Sequence, residues 1–214
     1  MKKIFYLILV LVAISSMSGW FIYKDLNRDD SSLEETISTP STSTPEVGVN
    51  KEIPIPDLYK EIIFYSELSE GAKKQTILDI EYIRGQLKED LDNYQNWLQL
   101  GLFFKLAEDY KSVQEAWEYA SLIRPHGSVA FHNLGDLYHL YLPDYARSEI
   151  NYRKAITNDP EMIMNYQKLH ELYIYSYKEK ESLADDILEE GLRNNPNNPL
   201  LQYILNEYNS SLKQ

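Results

Sequence analysis

The chain contains no cysteine among its 214 residues. That absence excludes disulfide bonds, thiolate metal sites, a cysteine nucleophile and lipid attachment through a modified cysteine. Because a chain without cysteine is compatible with any redox compartment, the absence does not locate the protein.

The sequence also lacks a segregated basic stripe. Its formal net charge is −12, and its lysines and arginines are scattered among the acids. A surface of this kind repels a polyanion. The composition therefore predicts that nucleic acid is not a partner.

Recognisable catalytic signatures are missing too. The sequence has no glycine-rich phosphate loop and no nucleophile elbow. His170 and Glu171 match the first half of the metalloprotease motif H-E-x-x-H, but Ile174 stands where the second histidine is needed. We predict that the protein is not an enzyme and has no cofactor.

The N-terminus, by contrast, is rich in apolar residues. Lys2 and Lys3 precede an uncharged run of 20 residues, 4–23. At a helical rise of about 1.5 Å, that length matches a hydrocarbon core about 30 Å thick. Trp20 and Tyr23 suit the membrane interface. The run predicts a single transmembrane helix over residues 1–24 that serves as an uncleaved anchor.

A cleaved signal peptide is the alternative, since residues 4–14 have the length of its apolar core and residues 16–18 resemble a cleavage site. The apolar character that resumes over residues 20–22 favours the anchor. With the two lysines in the cytoplasm, both interpretations place the C-terminal part outside the cytoplasmic membrane, here expected to be bacterial. Lys24 and Arg28 make this charge asymmetry modest.

Residues 25–56 are rich in serine, threonine and proline, most clearly over 38–45. Such a segment buries too little apolar surface to become ordered, so we predict a disordered linker with a span of roughly 30 Å. Residues 57–91 predict an N-terminal helical pair. Its first helix covers residues 57–65, and its second, over 72–91, has apolar residues at helical spacing.

A pattern recurs about every 35 residues in the remaining part, 92–214. Its closing prolines, Pro125, Pro160 and Pro196, are 35 and 36 residues apart. The first copy contains Trp97, Leu100, Gly101, Phe104, Val113, Trp117 and Ala120. The second contains Phe131, Leu134, Gly135, Tyr138, Ser148, Tyr152 and Ala155. The third contains Tyr166, Leu169, His170, Tyr173, Ala184, Leu188 and Gly191. A period of this length indicates stacked helical hairpins.

Helix-start and helix-stop residues between these positions predict all-α structure. No stretch shows the alternation of a strand. The helices are expected near 94–107, 110–123, 128–141, 144–157, 162–177 and 181–193, and a capping helix near 199–212. Gly101 and Gly135 lack a side chain, so the two helices of each pair can approach closely, and Trp97 and Trp117 fill the space left between units.

The three units resemble tetratricopeptide repeats over residues 94–196. The second copy has one residue inserted between Tyr138 and Ser148, and the third has two inserted before Ala184. The resemblance implies a short α-solenoid of about three helix pairs plus the capping helix.

In this family the first helix of each pair lines a concave groove that binds an extended peptide or a partner helix. The resemblance implies groove positions at Leu98, Leu102, Val129, His132, Asn133, Asp136, His139, Met164, Gln167, Lys168, Glu171 and Tyr175. Members that grip a peptide carboxylate have Lys and Asn where this chain has Leu98 and Leu102, so that binding mode is not expected.

Three of these residues, His132, Asp136 and His139, share one helix face and could together bind a divalent metal ion. An ordinary polar groove wall is the favoured interpretation. The leading hypothesis is a membrane-anchored scaffold that binds a protein through its groove. The alternatives are a self-assembling structural subunit of a membrane complex and, least favoured, a metal-dependent enzyme. The sequence identifies neither the partner nor the oligomeric state.

Overall fold

The structure, a computed structural model, describes residues 54–212. Within this range the chain is all-α, with eight α-helices and no strand, so the predicted fold class is confirmed for these residues. The helices are α1 (Glu70–Glu89), α2 (Tyr94–Leu106), α3 (Tyr110–Ile123), α4 (Val129–Asp136), α5 (Tyr145–Asn158), α6 (Ile163–Glu171), α7 (Ala184–Asn194) and α8 (Pro199–Ser211). All of them lie in one unit, Ile55–Gln214.

The predicted anchor, residues 1–24, lies outside the described residues, and so does the predicted linker except for residues 54–56. Among the helices of residues 54–212, none combines the length and the apolar character needed to cross a membrane. The anchor and the linker therefore stay predictions.

The predicted N-terminal helical pair is confirmed for one of its two helices. Its second helix is α1, but residues 57–65 are not helical. Burial alternates residue by residue here, with Leu58, Lys60 and Ile62 turned inward and their neighbours exposed. This segment, residues 55–66, has a turn at Leu58–Tyr59 and no helix or strand, and it is called the strap below. Its β-branched and aromatic residues favour an extended backbone, and a helix this short is marginal without tertiary support.

Polar contacts hold the strap against three helices. The Tyr65 backbone N–H donates to the Ala107 carbonyl at 2.8 Å, at the end of α2. Lys60 Nζ donates to Ser112 Oγ on α3 at 2.9 Å, and Arg84 of α1 donates to the Lys60 carbonyl at 2.6 Å. The strap and α1 together thus cover the N-terminal side of the first helix pair.

Paired helices meet where one has a glycine and the other an aromatic ring. A side chain at Gly101 of α2 would overlap the indole ring of Trp117 on α3. At Gly135 of α4, an added Cβ would lie 2.5 Å from the ring of Tyr152 on α5. Because both rings are fully buried, the glycines set the distance between the helices of each pair.

Asparagine side chains join successive pairs. The Asn158 amide at the end of α5 donates to the carbonyls of Pro125 and Gly127 at 3.0 and 2.9 Å. One period later, the Asn195 amide donates to the Pro160 carbonyl at 2.9 Å. The carbonyls of Pro125 and Pro160 are thus each satisfied by the pair that follows, which fixes the stacking of the units.

Residues inserted into the second and third copies are accommodated near the ends of α4 and α6. Leu137–Tyr141 and Leu172–Ser176 are single π-helical turns, closed by hydrogen bonds of 2.8 Å from Leu142 N–H to the Leu137 carbonyl and of 2.7 Å from Tyr177 N–H to the Leu172 carbonyl. A π-turn takes up an extra residue without ending the helix. In the third copy a 3-10 segment, Lys178–Leu183, follows.

Candidate functional site

The first helices of the three pairs, α2, α4 and α6, lie side by side. Tyr94 Oη on α2 accepts from the Ala130 backbone N–H on α4 at 3.1 Å. On the other side of α4, His132 Nδ1 donates to Asn165 Oδ1 on α6 at 2.7 Å. The accessible sides of these three neighbouring helices are together called the α2–α4–α6 face below.

Three of the twelve groove positions have almost no accessible surface. Leu98 is 1% exposed, and Val129 and His139 are each 8% exposed. Leu98 and Val129 are core residues rather than groove residues, because a partner gains little contact with side chains already covered. The sequence pattern placed them on the right helices but did not show which neighbours cover them.

The other nine positions keep accessible surface. Tyr175 is 74% exposed. The partly buried ones are Leu102, His132, Asn133, Asp136, Met164, Gln167, Lys168 and Glu171. The accessible part of the face is thus mainly polar and is concentrated on α4 and α6.

A hydrogen-bonded cluster centred on His132 and Asp136 lies between α4, α5 and α6. Asp136 Oδ1 accepts from the Tyr152 hydroxyl at 2.6 Å, while Asp136 Oδ2 lies 3.8 Å from His132 Nε2. Burial first, and then the Asp136 charge, raises the pKa of Tyr152, so its hydroxyl stays protonated and donates. The fully buried Asn165 donates its amide to Met162 Sδ at 3.2 Å. These contacts hold the side chains in fixed positions.

His139 connects the two π-turns. Its Nε2 and the Ser176 Oγ are 2.9 Å apart and share a hydrogen bond. Its Nδ1 is buried and has no hydrogen-bond partner among the described residues. Burial lowers the pKa of His139, the Lys168 charge acts in the same direction, and the carboxylates of Asp136 and Glu171 oppose it. His139 is therefore mainly neutral and structural at neutral pH.

Lys168 and Glu171 form an ion pair on α6, with Nζ and Oε2 2.9 Å apart. Burial acts to lower the pKa of Lys168, but the hydrogen bond to Glu171 and the charges of Glu171 and Asp136 outweigh it and raise that pKa. Lys168 is therefore charged at neutral pH, and its charge is balanced within the face.

The metal site considered from the sequence is not formed. Within residues 54–212, no group of three or more histidine, aspartate and glutamate side chains is arranged to hold a metal ion. His132 bonds to Asn165, while His139 points its Nε2 to Ser176. Although the three residues share a helix face, the neighbouring helix engages the two imidazoles separately.

Two residues important to this face escaped the sequence reasoning. Asn165 is a fully buried polar residue, and Tyr152 was assigned only to packing. The hydroxyl of a tyrosine at a buried position needs a partner, which was the available signal for Tyr152. Nothing in the repeat pattern marks Asn165, because its partner His132 is 33 residues away.

The side-chain amides of Asn133 and Gln167 remain available. Both are partly exposed, and neither forms a side-chain hydrogen bond with any residue in 54–212. An amide offers both a donor and an acceptor, which is what the main chain of a peptide needs from a binding surface.

No protein-family model and no curated protein sequence matches this chain.

Proposed function

We propose that this protein is a membrane-anchored scaffold of the tetratricopeptide-repeat type that binds another protein on its α2–α4–α6 face. The paired helices, the glycine–aromatic contacts and the period of about 35 residues support the repeat assignment. The partner lies along the face as an extended segment or as a helix.

The observation that carries the proposal is that some polar side chains of the face are hydrogen-bonded within the fold and others are not. His132 bonds to Asn165 on α6, and Asp136 accepts from Tyr152 on α5, so both residues hold α4 against its neighbouring helices. Asn133 and Gln167, beside them, have no such duty within the described residues. A rigid base with unengaged amides binds a partner at low ordering cost.

The predicted anchor and linker complete the proposal. The anchor restricts the repeats to a layer near the membrane, and the linker gives them a reach of roughly 30 Å. Partners in the same membrane are thereby present at a high effective concentration, so a weak individual contact is sufficient.

Site-specific photo-crosslinking in the native membrane tests the proposal. We expect a crosslinker at Gln167 to capture a defined protein, and one at the exposed Ile150 on α5 to capture none or a different one. The captured protein, once purified, should bind the intact chain and lose about tenfold or more in affinity to the Asn133→Ala/Gln167→Ala variant. Equal affinity for both chains, measured by calorimetry, would disprove binding at this face.

A further inference from the structure

Helix α1 has a second apolar stripe that faces away from the repeats. Its buried side, with Ile80, Ile83 and Leu87, packs toward the rest of the fold. On the opposite side Leu78 is 55% exposed and Tyr82 is 67% exposed. Two large apolar side chains one helical turn apart, both accessible, form a helix face that has no partner within residues 54–212.

Glycines extend this stripe in both directions from Leu78. Gly71 lies seven residues before it and Gly85 seven residues after it, so all three share one line along the helix. A Cβ at either glycine would meet nothing within 4 Å in the described part of the chain. Glycine inside a helix costs about 1 kcal/mol relative to alanine, and no contact within residues 54–212 accounts for that cost at Gly85.

We propose that a second copy of this chain covers the α1 stripe, with the two α1 helices antiparallel across a two-fold axis at Leu78. The order Gly71, Leu78, Gly85 reads the same in both directions about that point. Antiparallel pairing therefore sets Leu78 against Leu78 of the second copy, and Gly71 against Gly85. The glycines let the two backbones approach, as an isologous interface of this kind requires.

The charges beside the stripe select this orientation. Lys74 and Glu81 lie on the same flank, four residues before and three after Leu78. In an antiparallel pair each Lys74 meets Glu81 of the second copy, which forms two opposite-charge contacts. A parallel pair would instead bring opposite flanks together, with Lys74 beside Gln75 and Glu81 beside Tyr82 of the second copy, and would form no opposite-charge contact.

Both charged groups are available for such contacts. Lys74 is exposed and has no acidic partner among the described residues. Glu81 pairs with Arg84 through Oε1 at 2.9 Å, yet its side chain remains more than half exposed. On the opposite flank, Tyr82 meets Gln75 of the second copy, so a ring covers the stem of an amide side chain.

The interface is small, because a 20-residue helix is about 30 Å long and one helix pair lies at the low end of specific interface sizes. We therefore expect a reversible, concentration-dependent dimer. The α1 stripe and the α2–α4–α6 face are different surfaces, so self-association and partner binding can each fail without the other.

The absence of native cysteine allows a direct test of the register on the full chain in membranes. Leu78→Cys should form a disulfide-linked dimer on mild oxidation, since only residues at the axis meet their own equivalents. Gly85→Cys alone should not crosslink, but should do so when mixed with Gly71→Cys. Ile150→Cys, at an exposed site on α5, is the matched control.

Sedimentation of the full chain in detergent measures the strength of the pairing. Leu78→Glu should weaken dimerisation by about tenfold or more, while Ile150→Glu should have no effect. Lys74→Glu should also weaken it, and Lys74→Glu combined with Glu81→Lys should restore it, with helix content checked by circular dichroism. Crosslinking of Gly85→Cys with itself, or association unaffected by Leu78→Glu, would overturn the proposal.

Discussion

The first and third helix pairs use glycine differently. In the first pair, Gly101 lies under the fully buried indole of Trp117, whose N–H donates to the Leu98 carbonyl at 3.1 Å. In the third pair, a Cβ at Gly191 would approach the tip of Leu201 and the ring of Tyr166, each at 2.9 Å. The overlap at Gly101 is deeper and falls entirely on an indole that a hydrogen bond holds in place. At Gly191 the approach is slight and is shared between one ring and a flexible leucine tip, so the first pair has the stricter geometry.

Alanine at the two glycines should give the largest difference between the pairs. We expect Gly101→Ala to lower the free energy of unfolding by about 3 kcal/mol, because the indole has no free space, and Gly191→Ala to lower it by about 1 kcal/mol. Urea denaturation followed by circular dichroism measures both. Gly85→Ala, where a Cβ meets open space within the single chain, is the control and, measured on chains too dilute to dimerise, should be neutral or stabilising by up to about 1 kcal/mol. Equal losses at Gly101 and Gly191 would contradict the comparison.

The second pair resembles the first in that a buried ring faces a glycine, but its polar atom bonds to a side chain. Tyr152→Phe removes the hydroxyl that donates to Asp136 at 2.6 Å. We expect the free energy of unfolding, measured by thermal denaturation, to fall by about 1–2 kcal/mol, because the partly buried carboxylate loses a donor. Tyr203→Phe, at an exposed site on α8, should change the unfolding free energy little. A similar effect at both tyrosines would show that the Asp136 contact is unimportant.

The junctions between units provide a smaller difference. Asn158→Ala removes amide bonds to two carbonyls of the preceding junction, whereas Asn195→Ala removes one bond across its junction. We expect losses of about 1 kcal/mol or slightly more for Asn158→Ala and about 1 kcal/mol or slightly less for Asn195→Ala. Chemical denaturation of each variant checks the order, and the reverse order would count against a locking role for Asn158.

Of the changes considered, mild acid should lower the free energy of unfolding least. It acts through His139, which joins the second and third pairs. Burial lowers the pKa of His139 in the folded chain below the value of about 6.5 expected when it is unfolded. The unfolded chain therefore binds the proton more readily, and stability is complete above about pH 6.5 and declines as the pH falls through that value toward the folded pKa.

Stability of the native chain and of His139→Gln, measured between neutral and mildly acidic pH, isolates this contribution. The variant should show a shallower decline, since it lacks the titrating group. His126→Gln is the control, because His126 is exposed in the loop between α3 and α4. A decline equally steep in all three chains would assign the acid sensitivity to other groups.

Sequence reasoning located the helices from residue 70 onward to within a few residues, because periodic apolar residues, caps and prolines are local signals. It recognised the insertions in the second and third copies but not the π-turns that accommodate them. It was wrong for residues 57–65, where the same apolar residues suit either a short helix or an extended strap. Contacts with Ala107 and Ser112 decide between the two, and those partners are more than 40 residues away.

The candidate site was predictable at the level of helices but not of side chains. Position within the repeat identified α2, α4 and α6, yet Leu98 is covered and His139 is held by Ser176 of the next unit. Which residues stay accessible depends on neighbours one period away, and a repeat pattern records spacing rather than contact.

The sequence by itself determined that the described region is helical, that its helices pair with a period of about 35 residues, and where glycines allow them to touch. Those properties follow from local propensity and from the volume of single side chains. Only the tertiary structure decided the strap, the engagement of His132 by Asn165, and the exposure of Leu78 and Tyr82 on α1. These depend on which surfaces remain after the units have stacked, and long-range packing alone determines that.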